Sequence, residues 1–292
     1  MPVFVTSEPI TFTTDGEATA AALWLPPTAA GPVPAVATGP GFGGVKEMLI
    51  PTYAQALASA GIATLAFDPV GFGGSAGARR QHIDPHQQVR SFGAALSALQ
   101  VDPRIDASRL GVFGTSLSGG HALRCAADDP RVRCAATIVP FIRLQGRQTP
   151  GHVGRVAWEV VRRLLGQPDR YLAAAGSPGD RAAMTTDGAL EWLQVIAADA
   201  PSFRNEVTIS SLFALARYSS SRAAKRAAVP TLAIVAERDS ITPGALVRSA
   251  LPDAAHVRIV GFPETHFELF TTHLDETVEL VRDWFKEHLS DG

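Results

Sequence analysis

Residues 110–120 read LGVFGTSLSGG, and the fold is decided by how this stretch is read. Residues 110–113 are an apolar run of strand character, and a helical pattern follows the small-residue turn at 114–120. A strand, a sharp turn and a helix are the setting in which a serine is forced to face outward as a nucleophile. The turn needs small residues two positions before and two after that serine, so that strand and helix can approach. Ser116 has Gly114 and Ser118 at those positions, and Ser118 has Ser116 and Gly120, so spacing admits both. The preceding strand separates them. With Ser116 the turn follows the strand directly, whereas Ser118 requires Thr115 and Ser116 to be absorbed first. Ser116 is therefore the expected nucleophile. Ser118 is the expected small residue at the helix start, with its hydroxyl on a backbone group.

Outward from this turn, strand and helix patterns alternate. Strand-like runs at 33–38, 62–67, 110–113, 135–139, 231–236 and 255–260 are interleaved with helical patterns. Helices are expected from Pro51 to Gly61, after the Asp84-Pro85 cap, from the Ser116 region to about Asp128, over 243–251 and over 274–289. Two further strands, 10–14 and 20–25, flank the hairpin turn Asp15-Gly16. Repeated βα units predict an α/β fold with a mostly parallel central sheet flanked by helices on both faces. The alternation breaks between 141 and 228. Helical segments at 156–165, 189–197 and 210–218 show no clear strand between them. The expected organisation is a core domain of residues 1–140 and 229–292, with a helical cap of residues 141–228 inserted after the sixth strand.

A serine hydroxyl is a weak nucleophile at neutral pH. It needs a base within hydrogen-bond reach and an acid that orients the base. On this kind of turn the acid and then the base follow the serine in chain order. The loop ERDSITP follows the strand-like run 231–236 and supplies Asp239, with Glu237 as a rival nearer the strand. The loop GFPETHFELF follows the run 255–260 and supplies His266 just ahead of the last helical stretch. An oxyanion hole needs two aimed N–H donors. The expected pair is the amide of Leu117, next after the nucleophile, and the amide of Phe42 in the glycine-rich loop GPGFGG after the first central strand.

TGPGFGG, DPVGFGGSAG, GTSLSGGHAL, ERDSITP and ETHFELF together resemble the α/β-hydrolase superfamily. Within it the chain is most similar to dienelactone-hydrolase-like and X-Pro-peptidase-like esterases with a helical insert. The resemblance covers about residues 30–140 and 229–289. It implies Ser116 as nucleophile, His266 as general base, Asp239 as orienting acid, a covalent acyl-enzyme and no cofactor. One departure stands out. Members of the family usually carry His-Gly in the oxyanion loop, where this chain has Pro40-Gly41. Proline has no N–H, yet the donor is expected at position 42, and the ring braces by rigidity where the histidine would brace by bonding.

Composition narrows the setting. The chain has 292 residues, 18% charged and 46% hydrophobic, with a net charge of −2, which gives no electrostatic footprint for nucleic acid. Two cysteines, Cys125 and Cys134, make no disulfide framework. No secretory leader and no run long enough to span a bilayer is apparent, so the expectation is a cytoplasmic protein with a small-molecule substrate and no membrane partner. His82, Asp84 and His86 have metal-like spacing but lack further ligands, and Asp84 is better read as a helix cap, so no metal is expected. His121 is read as a core or supporting residue. Arg162-Arg163 and the run 222–226 are read as solvated faces. Trp158, Trp192, Phe203, Phe213 and Tyr218 are the expected apolar walls of a substrate pocket in the cap, whose aromatic surface is also a candidate homodimer contact. The function expected is hydrolysis of a carboxylic ester, thioester or lactone. C–C hydrolysis, acyl transfer, peptide cleavage and, less favoured, non-catalytic binding are the alternatives.

Overall fold

The structure is a computed structural model that describes residues 5–28, 31–145 and 150–290. Its centre is an eight-stranded sheet in the order β1-β2-β4-β3-β5-β6-β10-β11. The strands are β1 (Ser7–Thr14), β2 (Glu17–Trp24), β3 (Val33–Gly39), β4 (Ala63–Phe67), β5 (Ile105–Thr115), β6 (Val132–Ile138), β10 (Thr231–Ala236) and β11 (Val257–Phe262). The hairpin β1–β2 and the pair β2–β4 are antiparallel, and every other pairing is parallel. Parallel neighbours need crossovers, which the helices supply.

Alternating residues of the central strands sort onto the two faces. Ala35, Ala37, Leu110, Val112 and Ala135 pack beneath α2 (Pro85–Val101) and α3 (Leu117–Asp128). Val36, Phe113, Ala136 and Ile234 pack beneath α1 (Ile50–Ser59) and α9 (Leu274–Leu289), against Tyr53, Leu57, Val281 and Phe285. A strand buried on both sides loses its apolar–polar alternation, which is why these runs read as continuously hydrophobic. Asp84 accepts the N–H groups of His86 (2.9 Å) and Gln87 (3.1 Å) and so caps α2, with Pro85 in its first turn. The free thiols of Cys125 and Cys134 lie buried on opposite faces of the sheet.

The segment between β6 and β10 departs from the all-helical expectation. It contains α4 (Pro150–Leu164), α5 (Ala189–Ile196), α6 (Ser211–Arg217) and α7 (Ser221–Lys225). It also holds a second, three-stranded sheet of β7 (Tyr171–Ala175), β8 (Ala182–Met184) and β9 (Val207–Thr208), in the order β8-β7-β9. These strands are two to five residues long, too short for period-two patterning to show. Ala174, Ala175, Ala189, Leu193 and Val207 of this segment share one buried cluster with Val45, Met48, Leu117 and Phe267 of the main unit. The last crossover helix is α8 (Gly244–Ala250), between β10 and β11. No helix among the described residues is long and apolar enough to cross a membrane.

Candidate active site

Sheet register brings four loops to one edge. Gly39 at the end of β3 pairs with Gly114 of β5, and Thr115 pairs with Ile138 at the end of β6. Ala236 at the end of β10 pairs with Phe262 at the end of β11. The carboxyl ends of these strands therefore deliver the glycine-rich loop, Ser116, Asp239 and His266 to the same rim, where open α/β sheets place ligands.

Ser116 sits between β5 and α3 with φ 53° and ψ −116°. A non-glycine residue at positive φ is strained by roughly 1–3 kcal/mol and persists only where its surroundings over-determine it. Here they do. Its N–H donates to the Ile138 carbonyl (2.8 Å), and its own carbonyl accepts from Phe141 (2.8 Å). Ser118 is buried, and its hydroxyl donates to the Thr115 carbonyl and accepts the Thr115 N–H, both at 2.9 Å. The second serine of GTSLSGG thus ties the turn together from inside. A Cβ on Gly114 would stand 2.2 Å from the Ser118 carbonyl oxygen, so only glycine fits there.

Asp239 is 5% exposed, in the loop after β10. Its Oδ1 accepts the N–H groups of Ile241 (2.7 Å) and Thr242 (2.8 Å), and its Oδ2 accepts the Thr242 hydroxyl (2.7 Å) and His266 Nδ1 (2.7 Å). Burial pushes its pKa up, but the His266 contact and the Thr242 bonds outweigh it and hold the carboxyl below the usual carboxylate range. Because an ionised carboxylate only accepts, Nδ1 carries the proton, which leaves Nε2 of a neutral imidazole as an acceptor. The rival Glu237 is exposed and pairs with Arg248, away from His266.

His266 is 4% exposed and packs edge-on against Phe267, with ring centroids 5.0 Å apart. Its loop is fixed by Glu268, whose carboxylate accepts both the N–H and the hydroxyl of Thr265 at 2.7 Å. Ser116 and His266 line one narrow cavity of about 40 Å³, together with Thr115, Pro40, Gly41 and Phe42. The glycine-rich loop passes close to Ser116: a Cβ built on Gly41 would lie 3.6 Å from the Ser116 Cβ. Phe42 thereby faces the serine from the loop, and Leu117 opens α3, where the first N–H groups have no intrahelical partner.

The glycine-rich loop is also held from its far end. Just after the loop, Lys46 donates its backbone N–H to Asp68 Oδ1 (2.8 Å) and its Nζ to Asp68 Oδ2 (2.7 Å). Asp68 follows β4, is fully buried and also accepts the Gly74 N–H (2.9 Å). The glycine-rich loop and the DPVGFGG loop are thus bolted together by one ion pair between a half-buried lysine and a fully buried aspartate. Neither residue stands out in sequence, because Lys46 and Asp68 are 22 positions apart.

The cavity walls differ from the sequence expectation. Trp192 of α5 lines the cavity and stacks on Phe267 at 4.9 Å. The other four aromatics do not line it. Trp158 is 55% exposed on α4. Phe213 is exposed and lies under the Arg217 guanidinium. Phe203 packs against the cluster shared by the insertion and the main unit, outside the cavity. Tyr218 is buried and bonds His121 Nδ1 at 2.8 Å. Met48, Leu49, Ile50, Leu193, Phe267 and Phe270 line the cavity instead. The two phenylalanines were visible beside His266 in ETHFELF, whereas the aliphatic residues carry no signal apart from ordinary core.

Two buried or half-buried histidines outside this site, His121 and His82, have local partners. His121 Nε2 meets Gln88 Oε1 at 2.9 Å, and burial pushes its pKa down to about 3. His82 Nδ1 meets the Thr208 hydroxyl at 2.7 Å, and burial lowers its pKa to about 4. Among the described residues no three His, Cys, Asp or Glu side chains converge in a way that could hold a metal ion.

Known proteins share this frame. DcsB, solved in complex with its substrate analogue, superposes with a TM-score of 0.86 at 23% identity, covering 98% of this chain and 100% of that one. The quorum-quenching protein AidA of Acinetobacter baumannii is 27% identical over 88% of this chain and 86% of its own length. A thiohydrolase of Eupenicillium brefeldianum is 29% identical over 83% of this chain and 80% of its own. Residues 3–148, which carry the glycine-rich loop and the Ser116 turn, match the PET hydrolase-like family, and the chain belongs to that family of α/β hydrolases.

Proposed function

We propose that this hydrolase cleaves a carboxylic ester, thioester or lactone through a covalent acyl-enzyme on Ser116. The observation that carries the reading is the convergence of Ser116, at positive φ, with His266 on one cavity, while His266 is bonded to Asp239 at 2.7 Å. His266 Nε2 takes the Ser116 proton as Oγ attacks the acyl carbon. The N–H groups of Phe42 and Leu117 receive the oxyanion. The imidazolium, held by Asp239, then protonates the leaving oxygen or sulfur. Water repeats the sequence to release the acid and free Ser116.

Residues 141–228 act as the cap. Through Met184, Trp192, Leu193 and Ile196 they close an apolar wall over Ser116, opposite Leu49, Ile50, Phe267 and Phe270. Such walls suit an apolar acyl group. The similarity to a thiohydrolase favours a thioester among the three bonds.

A fluorophosphonate adduct located by mass spectrometry tests the nucleophile. Ser116 is the expected site, and an adduct on Ser118, or none, overturns the assignment. Turnover of matched short-chain oxygen esters and thioesters, abolished in Ser116→Ala, tests the reaction class. Absence of turnover on both, with Ser116 still labelled, would redirect the reading to C–C cleavage, acyl transfer or peptide cleavage.

A further inference from the structure

The run 222–226 looks like a solvated face in sequence, yet the fold gathers its arginines, with Arg217 and Arg124, around a concavity. Arg217 ends α6, while Arg222 and Arg226 lie on and just after α7. Arg124 reaches the same pocket from α3. Four guanidinium groups therefore face one carboxylate among the lining residues, Asp128, which pairs with Arg226 at 2.5 Å. Two of the others are held by aromatic faces: Arg124 over Tyr218 at 5.7 Å and Arg217 over Phe213 at 5.5 Å. A ring face orients a guanidinium without cancelling its charge. Arg124 is also half-buried, with Nε shielded from water and without a hydrogen-bond partner. A buried unpaired donor is costly, and guanidinium groups brought together repel, so the pocket is incomplete without an anion. The chain as a whole is slightly acidic, at −2, so the excess is local.

We propose that this pocket binds a small ligand bearing a diphosphate group. Guanidinium forks match phosphate oxygens in pairs, which a point charge does not do. A diphosphate spreads about three negative charges over its oxygens, which suits three unneutralised guanidiniums better than a single carboxylate does. The pocket shares no lining residue with the Ser116 cavity, so a ligand here does not compete for the space beside Ser116.

Calorimetric titration with inorganic pyrophosphate at low ionic strength tests this. One saturable site is expected. Arg222→Gln, on an exposed side chain, weakens it by about tenfold or more, the size of a lost charge-assisted bond. Arg124→Gln does the same. Arg258→Gln, an exposed arginine on β11, leaves it unchanged and controls for net charge. Absence of saturable binding, or equal weakening in Arg258→Gln, overturns the site. Citrate binding as tightly as pyrophosphate overturns the diphosphate assignment. Binding to phosphatidic acid vesicles without binding to free pyrophosphate overturns the small ligand in favour of a lipid surface.

Discussion

Ser116 occupies a backbone conformation that serine avoids, and the residues around it are chosen to keep it there. Ser118 matters as much to that turn as the glycines do, since both halves of its hydroxyl are used on Thr115. Ser118→Ala should cost about 1–3 kcal/mol, the range for buried groups left unpaired, and lower the melting temperature while the fluorophosphonate still finds Ser116. Gly114→Ala forces a Cβ onto the Ser118 carbonyl and should cost at least about 1–3 kcal/mol by overpacking. At Asp239 two effects separate. Asp239→Asn misdirects the His266 tautomer and should lower kcat on the order of 10³- to 10⁴-fold with circular dichroism unchanged. The depressed pKa of Asp239 means that its stabilisation is fully present above the ordinary carboxylate pKa of about 4 and is lost as pH falls through the lower folded value. The stability gap between wild type and Asp239→Asn, read from denaturant midpoints, should therefore narrow below about pH 4. A gap that widened in acid would contradict this.

At the level of elements, the loop after β3 is held by a partner on the loop after β4. Lys46→Met strips the counter-charge from a fully buried Asp68, and breaking such a pair costs about 3–5 kcal/mol. The loop that carries Phe42 then loses an anchor four residues away. In the proposed reaction kcat should fall roughly 10- to 100-fold while KM moves little, because the oxyanion forms only in the transition state. A rise in KM with kcat intact would assign Lys46 to substrate binding instead.

Across the whole molecule, the insertion buries apolar residues in one cluster with the main unit, so the two are packed together by a shared core. Calorimetry should show one cooperative transition, with Trp192 fluorescence changing at the same temperature; an earlier Trp192 transition would mean that the insertion melts independently. Trp192→Ala removes the ring stacked on Phe267 and Phe270. It should shift acyl preference toward bulkier groups by lowering their KM relative to short chains, measured over a series of nitrophenyl esters.

The order of elements and the placement of Ser116, Asp239 and His266 in turns and loops at the ends of strands were legible from the chain. Both depend on local pattern: apolar runs for buried strands, glycines for tight turns, and an Asp and a His in loops after late strands. Ser116 could be separated from Ser118 because the turn must follow its strand directly. The Asp84 cap and the span of α9 were likewise written in neighbouring residues. What tertiary structure alone decided involves distant partners. The short strands of the insertion form because β7 finds β8 and β9, not because of their own period. The cavity walls fell to Met48, Leu193 and Phe270 instead of Trp158 or Tyr218, since an apolar side chain faces a core, a cavity or the solvent according to what packs beside it. Lys46 met Asp68, and Arg124 came to line one pocket with Arg222, across separations in sequence that no local pattern spans. A charge on its own looks solvated, and only its neighbours in space decide whether it braces a loop or gathers with other charges around a pocket.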